Sequence, residues 1–506
     1  MKKGFMIWTA LLITILVNLI IPFNESKNAA SDYWPADDWR TSTPEKQGID
    51  SGKLRRMLEY IKENQIDIHS ILIIRNGYLV LESYMAPYDK DTIHNLKSVS
   101  KSFLSAVAGI ALREKLLTGL DQKVADLLPE YFESIADPRK KAITLRHLLT
   151  MTAGFNWAEN TPISDGLWRS QNWVKYALEM PLSDNPGEKF VYNTALTHLM
   201  SAILTKTSGV STQELSEKYL LDPLGIKVGL WRRDPQGICL GGWEVFLTPR
   251  DMAKFGYLYL KQGIWNGRSI IPGDWVRESV NTQVATGNWG GFSQYGYWWW
   301  LHPGSYSAEG WGGQRIIVVP EQDLVVVFTS ADFNEPRNIY DFFIQPAVKG
   351  RRIAANPKEA AALGKLVEEL KYMQAKPGLP LPKMAGKISG KTFQLEKNDF
   401  GVTALSLNFK DTNEGILTLE TPGGKFDLAV GLDEVYRFTN GFFDVPVGIR
   451  GRWIQSDPYF EMDWINLGEP IKLQGLFIFE GNQVRFLTTL KPQNLSQTIV
   501  GKAVVE

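Results

Sequence analysis

From Leu96 to Leu112 the chain reads Leu-Lys-Ser-Val-Ser-Lys-Ser-Phe-Leu-Ser-Ala-Val-Ala-Gly-Ile-Ala-Leu, apolar nearly all round from Phe103 onward apart from Ser105. A helix without a polar face has to be enclosed by other elements. The rest of the sequence must therefore supply its walls. Residues 50–63 have helical spacing, with Leu54, Met57, Leu58 and Ile61 on one face. Ile71–Arg75 and Tyr78–Glu82 flank Asn76-Gly77, the pair that suits a two-residue type I′ hairpin. A second strand pair lies far downstream, Arg315–Val319 and Leu324–Thr329, joined by a turn at 320–323. Between them the chain reads as mostly helical, with loops around 153–170 and 282–310. Strands at both ends and helices between predict an α+β fold: helices on one antiparallel sheet, with an all-helical subdomain.

A helix is expected from Asn356-Pro357 to about Tyr372, cap first and proline in the first turn. Residues 375–386, rich in proline from Lys376 to Pro382, read as a stiff linker that closes a main domain over 49–374. Beyond it, over 387–506, about eight short alternating stretches and no helix predict a closed antiparallel barrel or sandwich. At the other end, Lys2 and Lys3 precede a run from Phe5 to Ile21 without a charge. At about 1.5 Å per residue it spans about 25 Å, enough for a thin bilayer. Segment 1–23 reads as a membrane anchor or a cleaved signal; Lys27 and Asn28 before Ala29-Ala30 suit cleavage poorly. Either reading puts the remainder outside the cytoplasm, beyond a polar tether over 24–48.

Lys+Arg and Asp+Glu both number 55, so no basic excess points to nucleic acid as partner. The single cysteine excludes an internal disulfide, and five scattered histidines include no His-x-x-x-His pair, so neither metal nor cofactor is expected. Chemistry is concentrated at Ser98 and Lys101. Three residues apart at the mouth of the apolar helix, they share a face. A lysine there is desolvated, which lowers its pKa and lets a neutral amine take the serine proton. The plainer alternative is that Ser98 or Ser100 only caps the helix.

Ser98-Val99-Ser100-Lys101 resembles the nucleophile motif of serine β-lactamases and penicillin-binding proteins. Gly119-Leu120-Asp121, Leu127-Leu128-Pro129, Thr144–Gly154, Phe190–Thr194, Leu247–Met252 and Gly310–Gln314 resemble, in order, segments of the class C branch. The similarity runs over roughly residues 40–350 and is nearest to 6-aminohexanoate-dimer hydrolase and related esterases. It implies a β-lactamase-like fold, a lipocalin-like barrel as in some relatives, and acylation of Ser98 by an ester or amide, then hydrolysis. It implies Tyr192 as a second base, its phenolate favoured by the lysine ammonium. It puts Asn193 and Thr194 where the family has Tyr-x-Asn, leaving open which faces the site. It puts Trp311 in the family's cationic position, which weakens the case for carboxylate-bearing substrates. Gly312 and Gly313 let substrate approach the strand, and the Gln314 N–H joins that of Ser98 as second oxyanion donor. A triad through His198 lacks the Gly-x-Ser-x-Gly elbow. The departures at Thr194 and Trp311 leave one rival: a membrane-tethered, penicillin-recognising sensor with little turnover.

Overall fold

The computed structural model of the chain describes residues 33–35, 38–454 and 459–504. The run Ile71-Leu72-Ile73-Ile74 shows no polar alternation because both faces of its strand are covered. Leu72 and Ile74 enter a core shared with the Val99–Arg113 helix; Ile71 and Ile73 enter a second core with the Ser51–Glu63 and Pro357–Leu370 helices. Asp50 and Asn356 start those two outer helices by accepting the Lys53 and Glu359 N–H groups. Asn76 (φ +51°) and Gly77 (φ +73°) make the left-handed turn that the Ile68–Arg75/Tyr78–Tyr84 hairpin requires.

The hairpin meets the far end of the domain as expected: Ile73 pairs with Val326 on the Leu324–Ser330 strand. The eight-stranded antiparallel sheet runs Tyr78–Tyr84, Ile68–Arg75, Leu324–Ser330, Gln314–Val319, Ser305–Gly310, Trp300–His302, Gln294–Tyr295, Val284–Ala285. Its last four members fall in the stretch read as a loop around 282–310. Two- and three-residue strands are too short to show a period, and Ser305–Gly310 is small and polar enough to read as a turn. The Val99–Arg113 helix is buried from Val99 to Ala111, walled by the sheet and the helical subdomain.

The C-terminal part is a β-barrel. Nine of its ten strands form a ring, closed where Gly431 pairs in parallel with Arg450, and Arg437–Thr439 joins Val447–Trp453 at the margin. Phe393, Trp453, Phe460, Phe477, Phe479 and Phe486 fill the interior. Eight strands match the alternating stretches. Arg437–Thr439 and Leu495–Ala503 were not legible; the latter buries only Ile499 and Gly501 of its nine residues. The end of the stretch read as a linker over 375–386 is corrected. Lys383–Ile388 is helical, and its Ala385 and Ile388 are buried in the barrel core. Among the described residues no helix is long and apolar enough to cross a membrane. The expected segment 1–23 lies outside the described residues.

Residues 24–48 are not a tether where they are described. Trp39 is 5% exposed, edge-on to Tyr257 at 5.6 Å, and Trp34 stands between Tyr257 and Trp265. The Arg40 carbonyl accepts the Leu79 N–H at 2.9 Å, and Ser42 N–H donates to the Leu79 carbonyl, so the segment extends the sheet edge. Polar Asp and Pro neighbours masked two tryptophans whose burial outweighs them. Trp39→Ala is therefore expected to lower the unfolding free energy by about 3 kcal/mol in urea denaturation. A tryptophan in a solvated tether would change it by less than about 0.5 kcal/mol.

Candidate active site

Ser98 immediately precedes the buried helix and makes no capping hydrogen bond. Its Oγ instead receives a hydrogen bond from Lys101 Nζ at 2.9 Å, one turn on. Lys101 is 1% exposed, and its Nζ also donates to the Gly242 carbonyl at 3.0 Å. Burial lowers its pKa from the ordinary lysine value to about 8, against a smaller opposing pull from the Glu159 carboxylate. The Tyr192 phenol is near enough to Ser98 for the serine hydroxyl to lower its pKa, and Lys101 Nζ lies 5.1 Å from the Tyr192 ring centroid. The structure thus brings Ser98, Lys101 and Tyr192 together. It corrects the expected charge state of the tyrosine: burial pushes the Tyr192 phenol up, and the nearby Ser98 hydroxyl only partly offsets this. Tyr192 rests as a neutral phenol because it is enclosed by Trp289, Tyr295 and Trp300 rather than by solvated cations.

Asn193 caps the Thr194–Ser208 helix, its side chain accepting the Ala195 N–H. Thr194 is on the site's side: a β-carbon at Gly242 would stand 2.7 Å from its Cγ2 and 3.2 Å from Lys101 Nζ. Only glycine lets that carbonyl approach the lysine. Two members were missed in the sequence. One is Gly242. The other is Glu159, whose Oε1 accepts from Thr194 N, Thr194 Oγ1 and Trp157 Nε1 at 2.8, 2.6 and 2.9 Å. Its one signal was its place in the loop after Thr144–Gly154; no residue pattern ties a loop carboxylate to a serine 61 positions earlier.

The backbone beside the Ser98 amide belongs to Gly310. A β-carbon there would lie 2.4 Å from the Leu96 carbonyl oxygen and 3.3 Å from Ser98 N. Gln314, expected in that place, sits one strand further on, paired with Gly310 across the turn. Its side chain is spent on the Ser330 carbonyl and N–H and the Gly312 carbonyl. Reading along the motif could not show that the chain reverses between the two. Gly312 (φ +75°) and Gly313 (φ +88°) make that reversal, and Trp311 on it stands edge-on to Phe333 at 5.1 Å.

An aromatic stack roofs one side. Trp289, 45% exposed, lies over Tyr192 at 4.7 Å and over Trp300 at 5.2 Å. Trp298 and Trp299 are core residues. His198 is fully buried and bonded to Asp234 at 3.0 Å, apart from Ser98, so it forms no triad with it. Among the described residues no group of three or more His, Cys, Asp or Glu side chains could hold a metal.

The Beta-lactamase family model matches residues 55–345. The chain is 24% identical over 288 residues to 6-aminohexanoate-dimer hydrolase of Paenarthrobacter ureafaciens, covering 52% of this chain and 72% of that protein. It is 28% identical over 155 residues to esterase EstB of Burkholderia gladioli, covering 28% of this chain and 39% of that one. Among solved structures, EstCE1, a hydrolase with promiscuous acyltransferase activity, superposes with a TM-score of 0.50 at 19% identity. It covers 59% of this chain and 99% of its own; that likeness is one of fold.

The geometry sets a pH dependence. The rate at which a fluorophosphonate labels Ser98 should rise with pH through about 8, as Lys101 loses its proton. Glu159→Gln removes the charge that raises the lysine, so the midpoint should move to lower pH. An unmoved midpoint would mean that another group governs the serine.

Proposed function

Because the chain belongs to the Beta-lactamase family, we propose that this hydrolase cleaves a neutral ester or amide through an acyl-enzyme on Ser98. One observation carries the reading: a buried lysine with a pKa near 8 stands 2.9 Å from a serine that caps nothing. Once neutral, Lys101 keeps an N–H for the Gly242 carbonyl and turns its lone pair to Ser98. Ser98 Oγ attacks the substrate carbonyl carbon and its proton passes to Lys101. The oxyanion is held by the Ser98 N–H and the backbone of the Gly310–Trp311 turn beside it. Tyr192 gives its phenolic proton to the leaving alkoxide or amine as the carbonyl reforms, and recovers one from the Lys101 ammonium. Water then attacks the acyl carbon by the same path in reverse, restoring the serine.

A neutral substrate is favoured by the strand that ends beside Ser98. It carries Ala308, Glu309 and Gly310; Glu309 is paired with Arg315 at 2.7 Å, and Trp311 turns to Phe333. No lone cation among these residues offers itself to a carboxylate. The names of the hydrolase and esterase relatives agree with an amide or ester as the bond cleaved; neutrality rests on the residues beside Ser98 alone, since a 6-aminohexanoate dimer carries a carboxylate. The uncharged run behind Lys2 and Lys3 supports a place outside the cytoplasm, held at the membrane or secreted.

Ser98→Ala should abolish labelling and p-nitrophenyl ester turnover with little change in melting temperature. Lys101→Ala should lose at least about 10²-fold in kcat, the low end for a positioned base. Tyr192→Phe should lose rate while folding normally. The Ser98→Ala/Lys101→Ala pair should be scarcely worse than either alone, because the residues act as a unit. Full ester turnover in Ser98→Ala would overturn the assignment. A stable penicillin adduct without ester turnover in the unaltered protein would favour the sensor reading instead.

A further inference from the structure

Residues 467–471 of the barrel connect the Tyr459–Asn466 and Lys472–Glu480 strands and lie against the peptide that leads into Ser98. At Gly468 (φ +80°) backbone meets backbone. Its carbonyl accepts the Asn95 N–H at 2.9 Å, and a β-carbon there would stand 1.9 Å from the Ile93 carbonyl oxygen. The next residue, Glu469, is 6% exposed. Its carboxylate accepts from Asn95 Nδ2 at 3.0 Å and pairs with Lys97 Nζ at 2.9 Å and Arg232 at 3.1 Å. Asn95 Oδ1 in turn accepts the Lys97 N–H at 3.0 Å.

Lys97, one residue before the nucleophile, has φ +48°. A lysine adopts that conformation only where its surroundings hold it. Glu244 pairs with both Lys97 and Arg232, and Arg232 also reaches Asp444 of the barrel at 2.9 Å, so two cations are shared among three carboxylates. Pro470 touches the other side of the site: a β-carbon on Gly312 would come within 2.5 Å of its Cβ. One barrel loop thus bears on both backbone segments that flank the Ser98 amide.

We propose that Glu469 is a positioning residue for Ser98, and that the barrel is through it an obligate part of the active centre. The proposal rests on Ser98 being the nucleophile. Glu469 fixes Asn95 and Lys97, and they fix the direction of the Ser98 N–H and Oγ. Small displacements of a reacting group cost about 10²-fold in rate.

The test uses the full chain. In Glu469→Gln, kcat for a p-nitrophenyl ester and the rate of fluorophosphonate labelling should fall together by about 10²-fold. KM should change less than about threefold, since the loop orients the nucleophile. Glu469→Asp, which keeps the charge, should recover part of the loss. A merely structural role would lower the melting temperature and leave labelling per folded molecule, measured well below it, at the unaltered rate; that result overturns the proposal. If Glu469→Gln does not fold, Arg232→Gln/Glu469→Gln removes one charge of each sign, so the cluster keeps its net charge while Lys97 loses its ion pair with the barrel, and an unaltered labelling rate there overturns it equally. Ser98→Ala run alongside separates the two ideas: its full activity would sink the nucleophile assignment, whereas its inactivity beside an undisturbed Glu469→Gln would sink this one alone.

Discussion

A lysine kept away from water is the constraint around which the site is arranged. In solution the Lys101 ammonium would hold its proton far above neutrality and leave Ser98 inert. Enclosure in the apolar helix mouth brings it down to about 8. That explains why the helix has no polar face and why glycine occupies position 242, where the carbonyl satisfies the amine without a solvating side chain. The same enclosure acts oppositely on Tyr192, since burial disfavours the charged form of both. In the proposed mechanism, desolvation thus suits the amine to act as base and the phenol as acid.

The extent to which the site could be read from residues alone follows from how local each feature is. Ser98 and Lys101 are one helical turn apart, and Asn76-Gly77 needs only its own two dihedrals, so both were legible. That strands from the two ends would share one antiparallel sheet was legible too, because both are long, mostly apolar runs bounded by turn residues. What failed was non-local. Gly310 rather than Gln314 meets the Ser98 amide because the chain reverses over Trp311–Gly313, and spacing counts residues without following a reversal. Glu159 and Gly242 carry no pattern of their own; each matters only through what the fold brings beside it.

The barrel shows the same limit. Its strands alternate clearly enough to predict a separate β unit after a proline-rich stretch. Composition gave no hint that Gly468 and Glu469 would lie against Asn95 and Lys97. The aromatic filling of the barrel, from Phe393 to Phe486, makes it a packed body able to hold such a loop rigidly.

The sheet that joins both ends of the catalytic part has a consequence for birth on the ribosome. Ile73 is synthesised about 250 residues before its partner Val326. Until then this largely apolar strand has only its hairpin mate on one edge, and the other edge is open to chaperones or to another nascent chain. Ring closure in the barrel repeats the delay, since Thr392–Leu395 waits for Leu495–Ala503. Such late, long-range pairing makes folding slow. Yield of this protein in a heterologous host should accordingly be governed by elongation speed and chaperone supply more than by the stability of the finished molecule.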